Sequence, residues 1–298
     1  MRRRFFTLDV FTAKRFAGNP LAVVLEPQGL DTAAMQLIAR EFGYPETVFV
    51  LPPDNPAHRA KLRIFTPATE LPFAGHPTVG TAVLIGRLDG GGSRKFVLEE
   101  NIGPVHCEIS LTGPDLGRAT FAVPRLPERA GEAADAASIA AVLNLDAADI
   151  GFDDFKPSRW SAGNPLTFVP LLSMAAIKRA RPELTRFEPV IGAGGRAMAY
   201  LFCRETTEPG HDFHTRMFAP SAGVPEDPAT GSAAAAFPGL LAASGGYRDG
   251  DHSLRLEQGY EMGRPSLIDL SFTLHGGALS AASIGGDAVV VTEGAIEA

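Results

Sequence analysis

Cysteine is nearly absent from this chain: Cys107 and Cys203 are its only two. So few exclude a disulfide framework and a thiolate metal cluster, and they suit a reducing, cytoplasmic compartment. Long apolar runs are lacking as well. The longest uncharged stretch, Pro228 to Tyr247, is mostly Ala and Gly and contains Pro238, so it reads as buried core rather than a membrane span. At the amino end, Thr7, Asp9 and Lys14 interrupt the chain before the apolar stretch of a secretory signal can develop. Positive charge is scarce and dispersed, with 27 Lys and Arg against 34 Asp and Glu and a formal net charge of -7. No basic surface is offered to nucleic acid or anionic lipid, and neither is expected as a partner. No Walker, dinucleotide-binding or G-x-S-x-G pattern occurs, so the run Asp89-Gly90-Gly91-Gly92-Ser93 reads as a turn rather than a phosphate cradle.

What the chain does have is apolar content, 45% over 298 residues, which is enough to fill two cores. It also has an internal repeat. Ala17-Gly18-Asn19-Pro20-Leu21 recurs 145 residues later as Ala162-Gly163-Asn164-Pro165-Leu166. Arg63-Ile64-Phe65-Thr66-Pro67 and Pro72 match Arg216-Met217-Phe218-Ala219-Pro220 and Pro225 at a spacing of 153. Pro77, Gly80, Thr81 and Ala82 match Pro228, Gly231, Ser232 and Ala233 at 151. Three blocks in one order indicate duplication, and the alignment makes His76 and Asp227 equivalent.

Short β-rich runs at Thr47–Leu51, Lys61–Phe65, Phe96–Leu98, Ala119–Val123 and Ala199–Cys203 predict strands. Residues 77–88 and 228–244 are apolar all round and open with Pro, which predicts two buried helices, the second kinked at Pro238. The expected class is α+β, with two pseudo-symmetric domains, each a curled sheet or barrel around a central buried helix. The acidic, Ala-rich stretch Glu128–Asp149 reads as a linker and a peripheral helix. It sets the expected boundary at 1–127, completed by a strand from about 285–298, and 128–284.

The segment Thr66 to Ala82 ends a strand and aims His76 at the start of a buried helix. Free N–H groups of Thr78, Val79 and Gly80 are expected there, where the helix dipole favours an anion. Its counterpart, Val224 to Ala233, would offer Ala229, Thr230, Gly231 and the Ser232 hydroxyl. Were the halves to face each other, two helix ends would meet over one pocket suited to a small carboxylate. Plainer readings stand beside these: Asp227 before Pro228 as an N-cap, His76 as a structural histidine, Ser232 as an ordinary first-turn residue. Glu46 opens the apolar strand after Pro45, where partial burial would make a carboxylate a better proton carrier. Glu70 and Glu226 compete with it, although a local salt bridge or cap is the expected role for Glu70. His211 and His214 are read as strand residues on opposite faces, which argues against a metal site. Neither cysteine lies in a helix-start turn, so a thiol nucleophile is not expected.

Taken together, DVFTAKRFAGNPLAVV from Asp9, PETVFV from Pro45, RIFTPATELPFAGHPTVGTA from Arg63 and RMFAPSAGVPEDPATGSA from Arg216 resemble the phenazine-biosynthesis isomerase (PhzF-like) family, built on the diaminopimelate-epimerase-like fold. The resemblance implies two domains with the active site between them and a homodimer; no cofactor or metal is expected. It implies Glu46 as the base, with His76, Asp227 and Ser232 as the other polar site residues; His76 and Asp227 are expected to be catalytic, and Gly75, Thr78 and Gly231 at the two helix starts are expected to hold the substrate with Ser232. Related epimerases and racemases use two opposed cysteines; here the matching turns carry His76 and Asp227, which disfavours that chemistry. Tyr44-Pro45 is one place where the shape near the base is expected to differ from the phenazine enzyme.

The function expected is therefore a cofactor-independent isomerase that moves a proton between carbons of a small anionic metabolite. The rivals are an epimerase or racemase working without thiols at a single stereocentre, and a catalytically silent protein that binds small anions.

Overall fold

The structure, a computed structural model, describes residues 1–193, 195–220 and 223–298, so Ser221 and Ala222 of the second-half motif lie outside the described residues. It comprises two units, residues 1–124 with 283–298, and residues 125–282.

Unit 1 contains β1 (Arg2–Val10), β2 (Asn19–Leu25), α1 (Thr32–Phe42), β3 (Glu46–Leu51), β4 (Ala60–Phe65), β5 (Glu70–Leu71), α2 (Gly75–Leu88), β6 (Ser93–Glu100), β7 (Gly103–Leu111) and β8 (Leu116–Ala122). Unit 2 contains β9 (Glu128–Arg129), α3 (Ala136–Leu143), β10 (Ser158–Ser161), β11 (Pro165–Pro170), α4 (Met174–Arg179), α5 (Leu184–Ile191), β12 (Ala199–Cys203), β13 (Phe213–Ala219), β14 (Val224–Asp227), α6 (Gly231–Ala243), β15 (Gly250–Gln258) and β16 (Ser266–His275). The last strand, β17 (Ala278–Glu297), belongs to unit 1 from Ser283 onward.

In unit 1 the ladders run β1–β2 antiparallel, β2–β3 parallel, β3–β4 antiparallel and β4–β6 parallel. They continue antiparallel through β6–β7, β7–β8, β8–β17 and β17–β1, which closes a ring of eight strands. A closed ring leaves no edge, and its interior is filled by a helix. Every residue of α2 from Gly75 to Gly86 is buried, so the helix that is apolar all round sits where such a helix must.

Unit 2 repeats the pairing order. β10–β11 is antiparallel, β11–β12 parallel, β12–β13 and β13–β14 antiparallel, β13–β15 parallel and β15–β16 antiparallel. Its central helix α6 buries Gly231 and Ala233 through Leu241 and stays helical across Pro238. The duplication read from short motifs is thus present in the topology.

Two expectations are corrected. The first central helix begins at Gly75, two residues before Pro77, and the second at Gly231, three residues after Pro228. The peripheral helix expected in this stretch is α3, which buries Ile139, Val142 and Leu143 in one cluster with Ile177, Phe187, Ile191 and Leu201 and leaves Ala137 and Ala141 exposed. The turn after α2 is built as expected, with Gly90, Gly91 and Gly92 at φ 90°, 84° and 84°, a run of left-handed residues open to glycine at little cost. Among the described residues no helix is long and apolar enough to cross a membrane.

Candidate active site

The parallel register of β2 and β3 sets Glu46 opposite Leu21, so the carboxylate at the mouth of β3 lies beside the first copy of the Gly-Asn-Pro-Leu repeat. His76, the second residue of α2, meets it there. His76 Nε2 lies 3.2 Å from Glu46 Oε2, with the imidazole side chain 4% exposed and the carboxylate 16%. Burial pushes the imidazole down to about 3, opposed only by a ring N–H bonded to the Pro20 carbonyl. His76 is therefore neutral at physiological pH. Assigning its one N–H to the Pro20 carbonyl leaves the nitrogen facing Glu46 as an acceptor.

Gly18 shapes this corner. Its φ is +64°, and a Cβ would fall 2.3 Å from the Val10 carbonyl oxygen and 2.5 Å from Thr12 Cγ2. Gly18→Ala is expected to lower stability by about 1–3 kcal/mol, through left-handed strain and overlap with backbone, measured as a lower urea midpoint at unchanged m.

Thr78, read as a substrate-binding residue, is not available for that role. Because α2 starts early, its N–H already donates to the Ala74 carbonyl at 3.2 Å. Its hydroxyl lies 2.8 Å from Ala74 O and 2.7 Å from Glu100 Oε1. The N–H groups without a carbonyl one turn back are instead those of Gly75 and His76, since Pro77 has none.

Glu100 is a residue that sequence reasoning missed. Burial raises its carboxyl to about 8, against weaker opposing bonds from Thr78 and the Ala74 N–H. A folded-state value above the unfolded one means the neutral carboxyl stabilises the fold fully below about pH 4.5, and this contribution is lost as pH rises toward 8. His76 has the opposite sign: its contribution is present above about pH 6.5 and lost as pH falls toward 3. Glu100→Gln is accordingly expected to flatten the stability decline between pH 6.5 and 8, which in the parent is on the order of 1 kcal/mol per pH unit, followed by denaturant melts across that window.

In unit 2, Asp227 ends β14 and is not the N-cap of α6, a place taken by Thr230. The Thr230 hydroxyl donates to Asp227 Oδ2 at 2.6 Å. Gln258, fully buried, straddles the turn: its Nε2 donates to Asp227 O at 2.7 Å, and its Oε1 accepts from Thr230 N at 3.1 Å. Thr230 N–H is thus already used, and because α6 begins late the open helix-start N–H groups are those of Gly231, Ser232 and Ala233. Gly231 and Ser232 keep the position expected of them. The pattern itself held a signal for both missed residues, because inward Leu98 and Leu256 are each followed two residues later by Glu100 and Gln258 on the same strand face.

The competing carboxylates are occupied. Arg63 grips Glu70 through two bonds of 2.8 and 2.6 Å, and its repeat equivalent Arg216 grips Glu226 at 2.8 and 2.9 Å. The Arg63 hydrogen bonds hold Glu70 below the usual carboxylate range. Both thiols are buried and pushed up by desolvation, Cys203 to about 12, far from the thiolate range.

His211 and His214 do not diverge as expected. β13 begins only at Phe213, and both rings converge on one buried carboxylate, His211 Nδ1 at 2.7 Å and His214 Nδ1 at 2.9 Å from Glu257. Glu261 takes the other nitrogen of His214 at 3.0 Å. This is a closed polar network inside unit 2. Among the described residues, no group of three His, Cys, Asp or Glu is placed to hold a metal ion.

The model of one family, described as phenazine biosynthesis-like protein, matches residues 8–294. The chain belongs to this phenazine biosynthesis-like family. It is an isomerase, on the diaminopimelate-epimerase-like fold. An uncharacterized isomerase of Mesorhizobium japonicum is 49% identical over 296 residues, 98% of each chain. The trans-2,3-dihydro-3-hydroxyanthranilate isomerase of Pseudomonas chlororaphis, another family relative, is 32% identical over 300 residues, again 98% of each. Among solved structures, a PhzF-family phenazine biosynthesis protein of Bacillus anthracis superposes with a TM-score of 0.89 at 27% identity, covering all of both chains.

Proposed function

We propose that this isomerase moves a proton between two carbons of a small carboxylate-bearing substrate, with Glu46 taking the proton from one carbon and returning it to the other. The observation that supports the reading most is the 3.2 Å approach of Glu46 Oε2 to a buried, neutral His76. Once Glu46 has taken the proton, its new O–H donates to the lone pair of Nε2. Stabilising the protonated carboxyl in this way lets a weak base remove hydrogen from carbon, and no charge has to form on the imidazole. Asp227, Gly231 and Ser232 enter as the groups that orient the substrate's polar substituents and hold its carboxylate. Such a cycle needs no cofactor. A small anionic metabolite as ligand and a homodimer as the assembly belong to the same proposal.

The name of the Pseudomonas chlororaphis relative suggests the substrate class, a ring carboxylate bearing an amino and a hydroxyl group. The test is to incubate the protein with trans-2,3-dihydro-3-hydroxyanthranilate and close congeners in heavy water and follow proton NMR. One carbon is expected to lose its hydrogen while another gains hydrogen or deuterium. A product with the same hydrogen count at every carbon and one inverted centre would replace this reading by epimerisation.

A further inference from the structure

Glu100 and Gln258 occupy equivalent places in the two units. In unit 1, Lys61 of β4 pairs with Glu99 of β6; in unit 2, His214 of β13 pairs with Glu257 of β15. Lys61 and His214 are 153 residues apart, the spacing of the repeat block that contains these strands. The residues after the paired ones, Glu100 and Gln258, are therefore counterparts. Each is the last residue of its strand, each is buried, and each reaches to the turn that feeds its unit's central helix. Gln258 bonds to the turn Asp227–Thr230. Glu100 bonds to the turn Ala74–Thr78.

A carboxamide carries both a donor and an acceptor, whereas a carboxylate only accepts. The geometry around Glu100 calls for both. Thr78 Oγ1 is within hydrogen-bond distance of two acceptors, Ala74 O at 2.8 Å and Glu100 Oε1 at 2.7 Å, yet it has one proton. Both contacts are satisfied when Glu100 carries a proton on Oε1: the carboxyl donates to Thr78 Oγ1, and the Thr78 hydroxyl donates to Ala74 O. Glu100 Oε2, buried without a bonding partner, is tolerable as a neutral carbonyl oxygen and costly as half of an anion. Ala74, the N-cap of α2, has no side chain able to cap the helix. A protonated carboxyl from β6 thus ties down the first turn of α2 through Thr78, a tie that the Ala74 side chain cannot make.

We propose that Glu100, in its protonated form, is a positioning residue that holds the first turn of α2 so that His76 meets Glu46, and that Gln258 serves the equivalent turn bearing Asp227. This rests on the assignment of Glu46 as base. Glu100 acts only through the turn and does not touch substrate.

The experiment compares Glu100→Gln, Glu100→Leu and Gln258→Leu with Glu46→Gln, reading two quantities. In the free protein, 15N NMR of the His76 ring and exchange of the Ala74 and Thr78 amides read the turn itself. Glu100→Gln is expected to leave both at parent values, while Glu100→Leu shifts the ring signals and speeds amide exchange by about tenfold or more. With trans-2,3-dihydro-3-hydroxyanthranilate as probe, kcat is expected to fall about 10- to 100-fold in Glu100→Leu and Gln258→Leu with little change in KM, and to be kept within about twofold in Glu100→Gln. A Glu100→Gln protein as impaired as Glu100→Leu overturns the assignment of a protonated positioning carboxyl, as does a Glu100→Leu protein with parent kcat and an undisturbed His76. Should Glu100→Leu not fold, Glu100→Gln alone decides, since an amide supports the turn only if the native group is neutral. Normal turnover in Glu46→Gln would instead sink the base assignment and leave the free-protein readings of the turn standing.

Discussion

Glu46→Gln is expected to slow isomerisation by roughly 10²–10⁴-fold while the substrate dissociation constant stays within a factor of about three. The amide has the shape of the carboxyl and presents a donor to His76 Nε2, so the 3.2 Å contact survives and the corner around Pro20 is undisturbed. What it loses is the ability to accept a proton from carbon. Glu46 is part-exposed at a strand mouth rather than in the core, so the variant is expected to fold normally. Glu46→Asp keeps the chemistry but withdraws the carboxylate by one methylene. It is expected to lose about 10²-fold, because proton transfer tolerates about 1 Å of displacement poorly. Steady-state kinetics with equilibrium binding measured separately checks both. A parallel loss of binding and turnover would mean that Glu46 merely holds the substrate.

Phe237→Ala is expected to lower the stability of the protein by about 3–5 kcal/mol. Phe237 is fully buried at the middle of α6. Its ring stacks on Phe168 of β11 with centroids 5.7 Å apart and planes 9° from parallel. Phe202 of β12 and Phe213 of β13 meet it edge-on at 5.0 and 5.1 Å, and Tyr200 lies at 6.2 Å. Those rings are carried by three hydrogen-bonded strands, which limits how far the wall can collapse into the cavity. The cost therefore falls near the upper part of the range for large-to-small changes, reduced by a few tenths of a kcal/mol because Ala is the better helix former. Phe237→Leu, which fills much of the space, is expected to cost roughly 1–2 kcal/mol. Denaturant unfolding at constant m measures these values, and a loss below about 1 kcal/mol for the alanine variant would show that the ring cluster repacks freely.

The duplication and the two buried helices were legible because they depend on local pattern: a five-residue repeat, paired Arg-x-Phe-x-Pro blocks, and helices with no polar face. The helix boundaries were not, and the reason is the same at both. Ala74 is a poor local start signal, and α2 begins there because Glu100, 26 residues on, supports its first turn. The Asp-Pro signal at residues 227–228 pointed to a start that does not form, because Gln258 and Thr230 hold those residues in a turn and delay α6 to Gly231. Contacts across a barrel leave no trace in local propensity. The same holds for His211 and His214, whose spacing suggested divergence until Glu257, on a strand reached through α6, drew both rings together. Glu46 and His76, by contrast, were visible as ionisable residues at the ends of apolar elements, and the fold brings them into contact as neighbours.

The most direct test of the proton-carrying role of Glu46 is deuterium wash-in measured on Glu46→Gln. The purified variant is mixed with trans-2,3-dihydro-3-hydroxyanthranilate in heavy water, and substrate and product carbons are followed by NMR and mass beside the parent protein. The expected result is that the parent exchanges and isomerises, while the variant binds the same compound and incorporates deuterium at no carbon above the uncatalysed rate. Exchange by the variant at the parent's rate would contradict the account.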